Sequence, residues 1–278
     1  MKTVTSLSDL RAARADLPQP VGLVPTMGYL HEGHLSLVRR ARAECASVVV
    51  SIFVNPAQFG PQEDLDAYPR DLARDLALLR GAQADLVWTP TPDIIYPPDF
   101  QTWVEVTDVT RPLEGAMRPG HFRGVATVVS KLFNSAQPQK AYFGQKDAQQ
   151  VVVVRQMTRD LNFPVEIVVC PTDREADGLA RSSRNVYLDA AQRQAATVLF
   201  RALAAARRAH EDGARHADDL RRIMAETINA EPLARLAYAS CAHPDTLDEL
   251  HGDVRRALLS LAVFIGKTRL IDNVVIGE

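Results

Sequence analysis

The sequence predicts an α/β protein in which a doubly wound parallel sheet, residues 1–171, is followed by a smaller α+β domain, residues 172–278. Two observations carry this reading. Through the first part of the chain, short runs dense in branched aliphatic residues alternate with stretches of helical apolar spacing, as βαβ units require. After Pro171 the pattern changes: Asp189–Arg208 is rich in Ala and Arg with strong helix propensity, and shorter helical and strand patterns fill the remainder. A length of 278 residues suits two modest domains, each able to bury its own core.

The elements follow in order. Val21-Gly22-Leu23-Val24-Pro25 reads as a strand running into a Gly- and Pro-marked turn, and apolar residues from Leu35 through Val38 and Ala41 give a helix. Val48–Val54, rich in β-branched residues, reads as a strand buried on both faces. Leu65, Leu72, Leu76 and Leu79 share one helical face, and Asp85–Trp88 supplies a third strand before a Pro-rich stretch over 90–98. Then come a helix over Val125–Leu132, a strand over Lys140–Phe143, a helix over Ala148–Leu161 and a strand over Val165–Cys170. Such alternation is Rossmann-like, and it puts a ligand site beyond the C-terminal ends of the strands. No internal repeat is evident.

Composition excludes several classes. With 46% hydrophobic and 24% charged residues the chain is of ordinary globular make-up. Thirty-two basic against 34 acidic residues leave a charge of -2, too little field to gather nucleic acid or an anionic membrane, so any anion must be held by local groups. The longest apolar runs are too short to span a bilayer, and the N-terminus lacks the apolar stretch of a secretory signal, so the expected location is cytoplasmic. Cys45, Cys170 and Cys241 are odd in number and set in apolar sequence, which predicts buried, reduced thiols.

Four segments carry candidate chemistry. Met27-Gly28-Tyr29-Leu30-His31-Glu32-Gly33-His34 follows the first strand and opens the first helix, where unpaired N–H groups and the positive dipole end favour phosphate. His31 and His34, three apart, share a face. The dipole disfavours imidazolium, so a neutral ring donating hydrogen bonds is expected. A zinc pair remains an alternative, although the spacing is one residue short of the metalloprotease motif. Asn55 and Gln58 end the next strand around Pro56 and offer neutral amides for hydroxyl or carboxylate groups; turn chemistry is the plain alternative. Gly144-Gln145-Lys146-Asp147, with Gln150 beyond it, joins a permissive backbone, a positive charge and a carboxylate that caps the helix or takes a ribose hydroxyl; an exposed Lys beside a capping Asp reads equally well. Arg181-Ser182-Ser183-Arg184 offers hydroxyls and guanidinium to a triphosphate, or is a solvated loop.

His31-Glu32-Gly33-His34 looks like the His-x-Gly-His signature of the nucleotidyltransferase superfamily, which includes class I aminoacyl-tRNA synthetases. All four segments in order, with His121-Phe122-Arg123-Gly124-Val125-Ala126-Thr127-Val128-Val129 and Gly266-Lys267-Thr268-Arg269-Leu270-Ile271-Asp272-Asn273, resemble the pantothenate synthetase family from about residue 20 to about residue 275. The Ser-Ser-Arg-Asn element stands where relatives in the superfamily carry Lys-Met-Ser-Lys-Ser. The resemblance implies an AMP-forming ligase that activates pantoate as pantoyl-adenylate with ATP and Mg2+, then joins it to β-alanine. It implies ATP at Met27–His34, Gly144–Asp147, Asp173 and Arg181–Arg184, and substrate at Asn55, Gln58 and Gln150. His34, the family's proton donor, His31, Lys146 and Arg184 would be catalytic. A homodimer is also implied. The chain departs from the usual pattern at Arg181 and Asp173, where many members are apolar, and at Ala57, often Met.

Overall fold

A computed structural model of the chain describes residues 1–61 and 63–277. Gln62, in the expected first domain, and Glu278, ending the expected second, lie outside the described residues. Two compact units emerge, one of Met1–Gly144 with Gln150–Pro171, the other of Gln145–Gln149 with Thr172–Glu278.

The first unit is built around a six-stranded parallel sheet. In chain order its elements are β1 (Lys2–Val4), α1 (Leu7–Ala15), β2 (Val21–Thr26), α2 (Glu32–Glu44), β3 (Ser47–Ile52), α3 (Leu72–Gly81), β4 (Leu86–Trp88), the short α4 (Pro92–Ile95) and α5 (Glu114–Met117), α6 (His121–Ala136), β5 (Lys140–Gly144), α7 (Ala148–Asp160, whose first two residues belong to the second unit) and β6 (Glu166–Cys170). The strand order is β1-β4-β3-β2-β5-β6. β2 and β3 bury Val21, Leu23, Val24, Val48, Val49 and Val50 almost completely, which is why their sequences read as unbroken aliphatic runs.

Two sequence expectations change here. Leu65 is not on the helix with Leu72, Leu76 and Leu79: Pro69 intervenes and Asp71 caps α3 by accepting from Arg74 N at 3.0 Å, so Leu65 falls in the preceding turn. The helix foreseen over Val125–Leu132 runs from His121 to Ala136, between Gly120 and Gln137, both in the left-handed region.

The second unit holds α8 (Ala190–Ala195), α9 (Val198–Glu211), α10 (Ala217–Asn229) and an antiparallel sheet β7-β8-β9 (Ala234–Ala242, Ala257–Ile265, Thr268–Ile276). The helical stretch read over Asp189–Arg208 is two helices, since Thr197 turns its hydroxyl back to Gln194 O at 2.8 Å at the junction. Leu199, Leu203, Leu220, Met224, Leu259 and Leu261 share one apolar cluster. Cys45, Cys170 and Cys241 are buried and free. No helix among the described residues is long and apolar enough to cross a membrane.

Candidate active site

The strand order reverses between β2 and β5, and there the sheet opens. β2 pairs with β5 only at Gly22 and Leu23, although β2 continues to Thr26 and β5 to Gly144. Pro25 brings no N–H to a ladder. The strand ends therefore part at the position where doubly wound sheets take their ligands.

Out of β2 comes the turn Met27–Leu30, with Gly28 (φ 81°) and Tyr29 (φ 47°) both left-handed. Glycine is needed at 28 because a Cβ would add steric crowding, 3.0 Å from Ile52 Cγ2 and 3.1 Å from Asp75 Oδ2, to an unfavourable φ. Asp75 of α3, 1% exposed, holds this turn: its two oxygens accept from Tyr29 N and Leu30 N, each at 2.7 Å. These N–H groups are thus spent on a carboxylate rather than presented to a phosphate, in contrast to the expectation for this segment. Burial raises the Asp75 carboxyl above its usual range, against the pull of the two N–H groups. Leu30 is fully buried, so its side chain belongs to the core. Glu32 is exposed and pairs with Arg39. Gly33 O accepts from Ser36 Oγ.

His31 is the N-cap residue of α2 and His34 lies in its first turn; the ring centroids are 4.0 Å apart. His31 N–H donates to His34 Nδ1 at 3.4 Å. A main-chain N–H only donates, so Nδ1 accepts and the proton of neutral His34 sits on Nε2. No group of three or more His, Cys, Asp or Glu side chains that could hold a metal ion gathers among the described residues.

A second turn leaves β3. Asn55, 1% exposed, accepts at Oδ1 from Ala57 N (3.3 Å) and from the Tyr96 hydroxyl (2.8 Å); its Nδ2 donates to Gly124 O (3.1 Å) and to Gln58 Oε1 (3.0 Å). Because one partner is an N–H and another a carbonyl, the Asn55 amide has a single orientation, and this fixes Gln58 as well. Gln58 keeps Oε1 toward Asn55 and turns Nε2 to the weak acceptor Met27 Sδ at 3.2 Å. Gln58 is therefore set to act as a donor.

The N-terminal part of α6 forms the seat of this turn. A Cβ on Gly124 would stand 2.2 Å from Ala57 O, so only glycine permits the approach. His121 Nδ1 donates to Gln58 O at 2.8 Å, while Arg118, ion-paired with Glu63 at 2.6 Å, donates to His121 Nε2 at 3.1 Å. Burial, with the Arg118 charge beside it, lowers His121 to about 4 and keeps the ring neutral. Gln150 is half-buried on the first turns of α7, and Gly144 ends β5 with no described protein atom within 4 Å of its Cβ position.

In the second unit, Gln145–Asp147 form a 3-10 turn, and Lys146 Nζ meets Asp147 Oδ1 at 3.3 Å. Asp147 thus pairs with its neighbour. Arg174 and Ala180 bridge a small hairpin closed at Gly178. The hairpin leads into Arg181 and then Ser182, which caps the 3-10 turn Ser183–Tyr187 by accepting from Arg184 N at 3.3 Å. Arg181 N donates to Asp173 O at 3.0 Å, and Arg181 Nε lies 2.9 Å from Asp173 Oδ2. Asp173 and Arg181 thus answer each other.

The sequence matches the family model for pantoate-beta-alanine ligase over residues 1–275. The chain belongs to this family. It is 62% identical over 276 residues to a pantothenate synthetase of Roseiflexus sp. (strain RS-1), covering 99% of both chains, and 60% identical over 276 residues to one of Herpetosiphon aurantiacus, covering 99% of this chain and all of that one. Among solved structures, the pantothenate synthetase of Thermus thermophilus superposes over the whole of both chains with a TM-score of 0.95 at 51% identity. The pantoate-beta-alanine ligase of Francisella tularensis, solved in complex with beta-gamma ATP and β-alanine, gives 0.83 at 34% identity over 99% of this chain and 97% of that one.

Sequence reasoning missed Asp75, Tyr96 and the supporting parts played by Gly124 and His121. Asp75 left a signal: an acidic residue three after Leu72 and four before Leu79, on the face of α3 that faces the core. Tyr96 left none.

Proposed function

We propose that this chain carries out the reaction of its family, the ATP-dependent condensation of (R)-pantoate with β-alanine to pantothenate, AMP and pyrophosphate, with the residues divided as follows. His31, His34, Lys146, Ser182, Ser183 and Arg184 bind the triphosphate of ATP, and the turns Met27–His34, Gly144–Asp147 and Asp173–Arg181 shape the nucleotide site around it, the first through Asp75, which holds Tyr29 N and Leu30 N. Gln58 and Gln150 hold pantoate, and Asn55, buried and engaged at both ends of its amide, orients Gln58 from behind. The carboxylate oxygen of pantoate attacks the α-phosphorus, the bond to the bridging oxygen breaks, and pyrophosphate leaves. The amine of β-alanine then attacks the acyl carbon of pantoyl-adenylate, AMP departs with the acyl oxygen, and the amine loses a proton.

The carboxylate is already a nucleophile, so catalysis consists of alignment and of cationic and N–H donors set against charge that develops at phosphorus. His34, with Nδ1 occupied by the His31 N–H, supplies Nε2–H as donor. Gln58 supplies Nε2–H to an oxygen of pantoate. Mg2+ would come with the phosphates of ATP and would neutralise charge there: the residues assigned to the nucleotide are mostly imidazole, ammonium, guanidinium and hydroxyl groups, which suit phosphate oxygens rather than the ion, and the buried Asp75 is spent on main chain. A cytoplasmic homodimer completes the reading.

The observation that carries it is the His31–His34 turn at the strand-order reversal of a chain that matches the family along residues 1–275. Pantoate-dependent ATP–pyrophosphate exchange tests it. Exchange is expected with pantoate alone, and pantothenate only once β-alanine is added. Exchange that ignores pantoate, or pyrophosphate release only with β-alanine present, refutes the adenylate route.

A further inference from the structure

Asp272 and Asn273 are successive residues of β9, so their side chains leave opposite faces of the strand. Both are buried, 3% and 5% exposed. Polar groups so placed require partners, and here the partners that these side chains find outside β9 belong to a segment assigned to the nucleotide or to the hairpin that leads into one. Asn273 Nδ2 donates to Gln145 O at 3.0 Å and to Lys146 O at 2.8 Å, while its Oδ1 accepts from Gln145 Nε2 at 3.1 Å. Carbonyl oxygens only accept, so the amide has one orientation and both its ends are engaged. Asp272 accepts from Arg174 Nη1 and Nη2 at 2.6 and 2.9 Å, and from Asn273 N at 2.8 Å. Arg174 opens the hairpin that runs into Arg181–Arg184, donates across it to Gly178 O at 3.0 Å, and lies over the Phe200 ring.

We infer that Asn273 is a positioning residue: it pins the main chain of the Gln145–Asp147 turn and thereby sets the direction in which Lys146 presents its ammonium, while Asp272, on the other face of β9, anchors the hairpin before Arg181–Arg184. One strand thus keeps two nucleotide-binding loops in register. The inference rests on the reading of Lys146 as a phosphate-binding residue. A three-residue turn with a long lysine side chain has many rotamers to lose, so a fixed main chain shortens the search at the moment of binding.

The test is a cycle in the full-length enzyme, with ATP–pyrophosphate exchange at saturating pantoate. Asn273→Ala is expected to lower kcat/KM for ATP roughly tenfold, as for a buried hydrogen-bond donor removed from its acceptors, with KM for pantoate unchanged. Lys146→Ala lowers it further. The double variant is expected to equal Lys146→Ala, since a residue acting through Lys146 has nothing left to position. Equal losses from Asn273→Ala in both backgrounds, or no loss in either, overturn the inference. Wild-type exchange by Lys146→Ala alone instead overturns the role of Lys146, a distinct result. If Asn273→Ala does not fold, Asn273→Asp, which keeps the shape and sets an oxygen against two carbonyls, is put through the same cycle with the same criteria.

Discussion

Gly124→Ala adds one methyl group at the tightest approach around the candidate substrate site. Its Cβ would lie 2.2 Å from Ala57 O, 2.5 Å from Ala57 C and 2.7 Å from Gln58 N. Nonbonded carbon contacts rest at about 3.5–4 Å, so α6 and the Pro56–Gln58 turn must separate by about 1 Å. That movement also stretches Asn55 Nδ2 to Gly124 O, now 3.1 Å, and His121 Nδ1 to Gln58 O, now 2.8 Å. Helix propensity favours the change by about 1 kcal/mol. Overpacking opposes it by about 1–3 kcal/mol, and each weakened buried hydrogen bond adds about 1 kcal/mol. The net is a destabilisation of roughly 2–4 kcal/mol, a fall in Tm of about 4–8 °C for a chain of this size. Because the displaced residue is Gln58, KM for pantoate is expected to rise while KM for ATP holds. Thermal melting and initial-rate kinetics give both quantities. Gly81→Ala is the control, since nothing lies within 4 Å of its Cβ position. A Gly124→Ala enzyme that melts at or above the wild type with an unchanged KM for pantoate refutes the packing argument.

Other outcomes are as definite. His121 sits at about 4 in the folded chain, below the roughly 6.5 of an unfolded histidine. Its neutral ring therefore adds stability that is complete above about pH 6.5 and is lost as pH falls toward 4, on the order of 3 kcal/mol, and urea midpoints across that range should show His121→Gln with the flatter profile. Asp75→Asn leaves one acceptor for two buried N–H groups; chemical denaturation should show a loss of roughly 1–3 kcal/mol, together with reduced ATP–pyrophosphate exchange, and an unchanged enzyme would remove Asp75 from the support of the turn. Asp173→Val and Arg181→Leu should each cost up to about 1 kcal/mol, and the double variant less than the two together; additive losses in urea would mean that the 2.9 Å pair is not coupled.

The sheet is legible in the sequence because its central strands are buried on both faces and read as aliphatic runs. β1, three residues long, is too short to show a period, and α1 is absent from the sequence reading altogether. Leu65 misleads because helical spacing extends through Pro69 while the helix itself does not. The turn after β2 and the amides after β3 are visible as turn chemistry at strand ends. Their supports are not, since they come from residues distant in sequence: Asp75 lies 45 positions from Leu30, Tyr96 lies 41 from Asn55 and Asn273 lies 128 from Gln145. A polar side chain at such a position shows at most that it lies on a buried face, as Asp75 does on α3, and not which distant group it serves.

The early parting of β2 from β5 has a consequence for how such a site tolerates change. A gap made by two strands ceasing to pair belongs to the backbone of the sheet rather than to any one side chain around it. Replacements at its rim then alter what fits, and leave the opening standing. Drift at rim positions is cheap for that reason, whereas a substitution that let the ladder zip two residues further would close the cleft outright.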